Sequence, residues 1–161
     1  MTSFYHSPVG WLKLTSEEGQ ISSIVYMEEE GKATPTDEAL DQYRTELDEY
    51  FSGNRTVFNF PMKQIGTSFQ EKVWKELLTI PFGKTMSYKE LSIRVGDVKA
   101  IRAVGTANGR NSLSIVVPCY RVIGSDASLT GYAGGLWRKQ WLLEHERKYT
   151  SGVNQGQLFE L

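Results

Sequence analysis

The chain has one cysteine, Cys119, and two histidines, His6 and His145, in 161 residues. A single cysteine excludes an internal disulfide framework and any multi-cysteine zinc site. Two histidines so far apart give little basis for a histidine-rich metal site, so neither metal nor cofactor is expected. No apolar run approaches the ~18 residues of a membrane span. The opening stretch MTSFYHSPVG lacks the basic head and apolar core of a secretory signal. A reducing cytoplasmic setting is expected, with no membrane partner.

The length suits one large domain or two small ones. The net charge of −1 hides an asymmetry. Residues 1–65 carry eleven acids against five bases. Residues 84–123 carry seven bases (Lys84, Lys89, Arg94, Lys99, Arg102, Arg110 and Arg121) against Glu90 and Asp97. A basic segment beside an acidic one suits a face that meets phosphate, and equally suits two solvated faces that pair with each other.

The first thirty residues alternate. Phe4, Val9, Trp11, Leu12 and Leu14 lead to a Glu17-Glu18-Gly19-Gln20 turn, then Ile21, Ile24, Val25 and Tyr26 follow. This predicts a hairpin with one buried face. Glu28 to Lys32 is a charged loop. Leu40, Tyr43, Leu47 and Tyr50-Phe51 have helical spacing within 36–51, with Gly53 as the stop signal. Val57 to Phe60 predicts a brief strand closed by Pro61. Residues 1–62 thus form a small α/β unit without chemistry of its own.

After a linker at 63–66, Ser68 and Glu71 form a capping box for a helix striped by Phe69, Val73, Trp74, Leu77 and Leu78. Ile80-Pro81-Phe82-Gly83 breaks it. Ser87 and Glu90 cap a short helix from Tyr88 to about Val95. Gly96-Asp97 turns the chain into a second helix from Val98 to about Asn108. Two short helices about a glycine turn fit a helix-turn-helix and fit an ordinary helical hairpin. The second helix is built from small residues (Ala100, Ala103, Gly105, Thr106, Ala107), which leave its surface smooth enough for close approach.

Ile115-Val116-Val117 predicts a short buried strand that ends at Pro118. Cys119 would then stand at the strand's end beside Arg121, either as a nucleophile or as a buried core thiol. Residues 125–129 form a polar loop. Gly131 to Gly135 is too rich in glycine for regular structure and could lie against a ligand or merely connect elements. Leu136 to Lys148 is a helix with Trp137, Trp141, Leu142 and Leu143 mostly inward. Residues 150–161 form a loose tail.

Pro118-Cys119-Tyr120-Arg121-Val122-Ile123-Gly124 resembles the active-site signature of the O6-alkylguanine-DNA alkyltransferases, whose usual pattern is Pro-Cys-His-Arg-Val. The likeness extends to Asn111, Arg102-Ala103-Val104-Gly105, Ser87-Tyr88, Gly131 to Leu136 and Trp141 to Glu146. It is looser at Ser7 to Gly10 and Tyr50 to Gly53. The resemblance implies an α/β protein. A small ribonuclease-H-like domain at 1–62 would precede a mainly helical, winged-helix-like DNA-binding domain at 67–149 that carries a helix-turn-helix. It also implies a monomer that acts on double-stranded DNA containing alkylated guanine, nucleoid-associated if the host is bacterial.

In that family the cysteine takes the alkyl group from O6-alkylguanine, and from O4-alkylthymine, once the base has been flipped out, and the protein is consumed. The resemblance implies Cys119 as nucleophile, Glu146 and Asn111 as its supports, and Tyr88 as donor to guanine N3. It implies Arg102 as the side chain filling the vacated stack. Ala103, Gly105, Thr106, Arg110 and Arg121 would join it on DNA. Val122, Tyr132, Ala133 and Gly134 would line the base pocket, with backbone groups of Cys119, Val122 and Ala133 reading the base edge.

One departure is central. Tyr120 occupies the place of the histidine base, and a neutral phenol with pKa near 10 is a poor proton acceptor. Tyr120 and Glu146 could still relay a proton through water, transfer could be crippled, or the chain could bind lesions without transfer. Retention of Cys119 speaks against pure binding. A small winged-helix regulator would leave the signature unexplained. His145 neighbours Glu146, but adjacent helix positions point about 100° apart, so it is not expected to replace the base.

Overall fold

The computed structural model describes residues 1–150. The tail expected at 150–161 lies outside the described residues except for Thr150. The chain divides into two compact units: 1–65 with 112–116, and 66–111 with 117 onward.

The first unit is a three-stranded antiparallel sheet under one helix. Strands β1 (Thr2–Ser7), β2 (Gly10–Glu17) and β3 (Gln20–Met27) run in the order β1-β2-β3. The sequence predicted a single hairpin here. The first apolar stretch is in fact two strands, folded at Pro8-Val9 with Gly10 at φ +108°. The β2–β3 turn places Glu18 and Gly19 both at positive φ, the geometry that matches strand twist in a two-residue hairpin. Leu12, Leu14, Ile21 and Ile24 are fully buried. Helix α1 (Glu38–Phe51) lies across the strands with Leu40, Tyr43, Leu47 and Tyr50 inward. Asp37 caps it, and Gly53 at φ +87° follows its end.

The strand predicted at Val57–Phe60 is absent. Side chains take its backbone groups instead: Glu46 accepts from Asn59 N–H at 2.7 Å, and Arg55 donates to the Val57 carbonyl at 2.8 Å. Phe60 packs on Tyr43 at 4.2 Å between ring centroids. The outer edge of β3 is covered by single parallel bridges, Ile21 with Met62 and Ile24 with Leu113. The second bridge draws residues 112–116 into this unit. It also ends the strand expected at Ile115–Val117, because Ile115 turns at φ +74° and the three buried residues form a turn. A short apolar run reports burial and does not by itself report extended backbone.

The second unit is mainly helical. Helix α2 (Ser68–Leu77) begins one residue earlier than the cap predicted, with Thr67 and Gln70 forming the capping box. Val73, Trp74 and Leu77 are buried, while Leu78 is exposed. Strand β4 (Met86–Ser87) leads into helix α3 (Tyr88–Val95), capped by Ser87 and closed by Gly96 at φ +109°. A 3-10 turn at Val98–Ala100, capped by Asp97, feeds helix α4 (Ile101–Gly109). Helices α2, α3 and α4 pack on one another, and the Trp74 indole donates to the Ala107 carbonyl at 2.9 Å.

A second 3-10 turn, Cys119–Arg121, continues into strand β5 (Val122–Ile123), which pairs in parallel with β4. Helix α5 (Leu136–Thr150) buries Lys139, Leu142, Leu143, His145 and Glu146. Trp137 points outward, 54 % exposed, with the Arg138 guanidinium over its ring. No helix among the described residues is long and apolar enough to cross a membrane.

Gly105 lies in the interior of α4, and a Cβ added there would meet nothing within 4 Å. Internal packing therefore does not demand glycine. Gly105→Ala is expected to raise stability by roughly 0.5–1 kcal/mol in urea denaturation, through the lower backbone entropy of the unfolded chain.

Candidate functional site

Pro118 bends the chain into an inverse γ-turn at φ −82°, ψ 64°, and the Cys119 N–H closes it on the Val117 carbonyl at 2.8 Å. Asn111, just beyond α4, clamps the same turn. Its Nδ2 donates to the Val117 carbonyl at 2.7 Å and to Cys119 Sγ at 3.3 Å. The thiol is buried, 7 % exposed for the whole residue. Burial raises its pKa, because the thiolate loses hydration. The Asn111 contact and the positive charge of Lys139 pull the other way without cancelling that cost.

Below the thiol the turn is fixed by one carboxylate. Glu146 is fully buried on α5 and accepts hydrogen bonds at both oxygens. Oε1 takes Arg121 Nε at 2.8 Å and the Gly83 N–H at 3.1 Å. Oε2 takes Arg121 Nη2 at 2.9 Å and the Tyr120 hydroxyl at 2.5 Å. Arg121 also donates to the Ile80 carbonyl at 2.7 Å. The Tyr120 proton is committed to Glu146, so the phenol acts there as a donor.

Arg121 corrects an expectation. The sequence placed it on DNA with the other cations, but it is 7 % exposed and held on Glu146. The other six bases of the 84–123 segment are exposed. On α4, Arg102, Ala103, Thr106 and Arg110 are exposed, Gly105 is half-buried, and Val104, Ala107 and Asn108 face inward. The basic and small residues therefore share the outward side of one helix.

The pocket residues come together only in part. Tyr88 begins α3, and its hydroxyl lies 3.4 Å from the carbonyls of both Thr130 and Gly131. Burial raises its pKa, and charge on Cys119 raises it further. The phenol therefore stays protonated as a donor. Val122 is buried, Tyr132 and Gly134 are half-buried, and Ala133 is exposed. His145 stacks on Trp141 at 5.0 Å between ring centroids.

Lys139 escaped sequence reasoning. It is 0 % exposed, and its Nζ donates to the carbonyls of Val122 at 2.5 Å and Thr130 at 2.7 Å. Burial brings its pKa down to about 8, against the opposing pull of Cys119. It is a buried amine coupled by charge to the buried Cys119 thiol. A Lys between Arg138 and Gln140 reads as a solvated helix position, and no local signal marks it. Among the described residues no group of three or more His, Cys, Asp or Glu is placed to hold a metal ion.

Arg121→Met is expected to lower stability by about 3–5 kcal/mol, since it leaves Glu146 as a buried charge without its cation. Chemical denaturation checks this. A phosphate-binding arginine would leave the unfolding midpoint unchanged.

Residues 68–148 match the DNA binding domain of 6-O-methylguanine DNA methyltransferase, and residues 1–64 match its ribonuclease-like domain. The constitutive methylated-DNA–protein-cysteine methyltransferase of Bacillus subtilis is 43% identical over 154 residues, covering 88% of this chain and 92% of the relative. That of Mycobacterium tuberculosis is 42% identical over 146 residues, covering 88% of each. The crystal structure of Mycobacterium tuberculosis OGT in complex with DNA superposes with a TM-score of 0.83 at 42% identity, covering 91% of this chain and 92% of that one. With both domains matched over nearly all of the described residues, the chain belongs to the 6-O-methylguanine DNA methyltransferase family.

Proposed function

We propose that this chain repairs double-stranded DNA by irreversible transfer of the alkyl group from O6-alkylguanine, and from O4-alkylthymine, to Cys119. The observation that carries the reading is the clamped thiol. Cys119 is held on a rigid 3-10 turn, hydrogen-bonded by Asn111 and charge-coupled to Lys139. Residues 67–149 form the proposed DNA-binding and transfer domain. A reducing cytoplasm, on the nucleoid in a bacterial host, belongs to the same reading, since a thiol nucleophile must stay unoxidised.

The exposed side of α4 meets the minor groove, where small residues permit close approach and Arg102 fills the space left by the extruded base. Arg110 and the flanking bases neutralise phosphates. The base enters between Tyr88 and the Gly131–Gly135 loop. Cys119 Sγ attacks the alkyl carbon as a thiolate. The new S–C bond forms as the C–O6 bond breaks, and that electron pair stays on the guanine. Tyr88 donates a hydrogen bond to N3 and stabilises the charge arriving on the ring. The thioether product has no leaving group, so each protein acts once.

The thiol proton needs an acceptor, and Tyr120 does not supply one. Lys139 in its neutral form takes the proton and, as an ammonium, stabilises the thiolate. The productive state is one proton short of the Cys–SH/Lys–NH3+ form that prevails at lower pH. Transfer is therefore expected to quicken about tenfold per pH unit below about 8 and to level off above it. Lys139→Met removes the charge that holds the thiol's pKa down. Its rate should fall by about tenfold or more at pH 7, with the rise displaced to higher pH. Single-turnover rates across pH 6–10 check both statements, and superimposable profiles would remove Lys139 from the mechanism.

The transfer itself is read by mass. Incubation with a duplex carrying O6-methylguanine is expected to add one methyl group to the Cys119 peptide, with no increment from unmodified DNA or in Cys119→Ala. Tight lesion-selective binding without an increment would instead establish a non-transferring lesion binder, and Tyr120→His would then be expected to restore transfer.

A further inference from the structure

The Gly131–Gly135 loop has no regular structure, yet it stands against two rings of the site. The Tyr88 hydroxyl lies 3.4 Å from the Gly131 carbonyl, and Tyr132 meets the Tyr120 ring edge-on at 6.4 Å between centroids. Gly131 at φ +59° and Gly135 at φ +96° bound the segment in a left-handed backbone that glycine adopts freely. The loop's backbone closes one turn, from the Gly135 N–H to the Tyr132 carbonyl at 2.9 Å. Such a segment belongs to the least stable part of a fold unless side chains hold it.

The holding groups come from the first turn of α5. Lys139 donates to Thr130, at the start of the loop, at 2.7 Å. Arg138 serves the other end. Its side chain reaches back past the start of the helix, and Nη1 donates to the Gly134 carbonyl at 2.8 Å. The same guanidinium lies over the Trp137 ring, 4.7 Å from its centroid. The indole in turn runs along the loop's last glycine, since a Cβ on Gly135 would stand 3.4 Å from Trp137 Cδ1 and 3.6 Å from Nε1. Carbonyl, cation, ring and glycine are thus packed in series. The stacked ring offsets the entropy lost in holding a long side chain in one geometry, and the cation strengthens the bond to the carbonyl.

An arginine near the rim of a DNA-binding unit invites a phosphate role. The printed geometry of Arg138 favours another, because its guanidinium is turned onto the loop and onto Trp137. We infer that Arg138 is a positioning residue: with Trp137 behind it, it fixes the end of the Gly131–Gly135 loop and pre-forms the wall against which the flipped base is held. The inference rests on the function proposed above. A wall already in place spares the bound state the cost of ordering it. Without Arg138 that cost falls on lesion binding alone, while the contacts that α4 makes with any duplex are untouched.

Binding is read by anisotropy in the full chain carrying Cys119→Ser, which separates recognition from transfer. The quantity compared is the ratio of affinities for O6-methylguanine and guanine duplexes, at two salt concentrations. Arg138→Met is expected to lower that ratio about tenfold, with affinity for the guanine duplex within about twofold and its salt dependence unchanged. Trp137→Ala should lower the ratio about threefold. The double variant should do no worse than Arg138→Met alone, because the indole acts through the guanidinium. Amide hydrogen exchange of the DNA-free protein with Cys119 in place gives the second readout. Peptides covering 130–136 should exchange about tenfold faster in Arg138→Met, with α2, α3 and α4 unaltered.

A fall in affinity for both duplexes together, with a salt slope smaller by about one, makes Arg138 a phosphate contact and overturns the inference. An unchanged ratio overturns it, and so does a lowered ratio without faster exchange in the loop. Thermal unfolding establishes that the variants are folded. Should Arg138→Met fail to fold, Trp137→Ala, at an exposed position, decides by the same two readouts. Failure of the parent reading shows itself before Arg138 or Trp137 is changed, as equal binding of the two duplexes or as an unmodified Cys119 in the mass experiment. The exchange measurement needs no DNA and then decides the clamp by itself.

Discussion

The Glu146 carboxylate is the constraint on which the rest of the site depends. It joins α5 to the 3-10 turn that carries Cys119, to the Ile80–Gly83 break after α2, and to the Tyr120 ring. Placing a charge at 0 % exposure is costly, and a bidentate arginine with two further donors is the arrangement that offsets the cost. The turn cannot swing without breaking several of these bonds together. The nucleophile's position thus comes from an ion pair behind it, while the thiol itself takes a side-chain hydrogen bond from Asn111.

That stiffness has a chemical consequence for Tyr120. An imidazole has two nitrogens, so one can donate to a carboxylate while the other accepts from a thiol. A phenol has a single oxygen, and here its O–H is already donated to Glu146 Oε2 at 2.5 Å. The Asn111 hydrogen bond and, after it, the charge of Lys139 are therefore the side-chain aids to the thiolate that the site retains. The Lys139 amine is held by the carbonyls of Val122 and Thr130, one on the strand after the signature and one at the start of the glycine loop. The residue that tunes the nucleophile also ties down one wall of the pocket.

Much of this was legible in the sequence, and the misses have physical reasons. Ser87 and Gly96 bracket α3 because a side-chain cap and a left-handed stop are local chemistry. The α2 cap was displaced by one residue because Thr67/Gln70 and Ser68/Glu71 both satisfy the same pattern. The buried run 115–117 was mistaken for a strand because periodicity says nothing about φ, and Ile115 turns at +74°. Arg121 resembled a phosphate contact because its partner lies 25 positions along the chain. Lys139 was invisible for the same reason. Its meaning comes from carbonyls delivered by other segments, and a lysine is not unusual where it stands.

A relay through Tyr120 can be weighed against Lys139 on energetic grounds. Passing the thiol proton to the phenol and the phenol proton to Glu146 would neutralise the carboxylate. Arg121 would then be a buried cation without a counter-ion, a loss on the order of 3–5 kcal/mol before any bond to carbon has formed. Passing the proton to neutral Lys139 instead creates an ammonium and a thiolate, whose mutual attraction offsets part of the desolvation cost that burial imposes on both. The two carbonyls that already accept from Nζ solvate the ammonium better than the amine. The geometry that commits the Tyr120 hydroxyl to Glu146 therefore leaves the buried lysine as the group able to take the proton, and the Glu146 cluster serves as the frame that holds the turn.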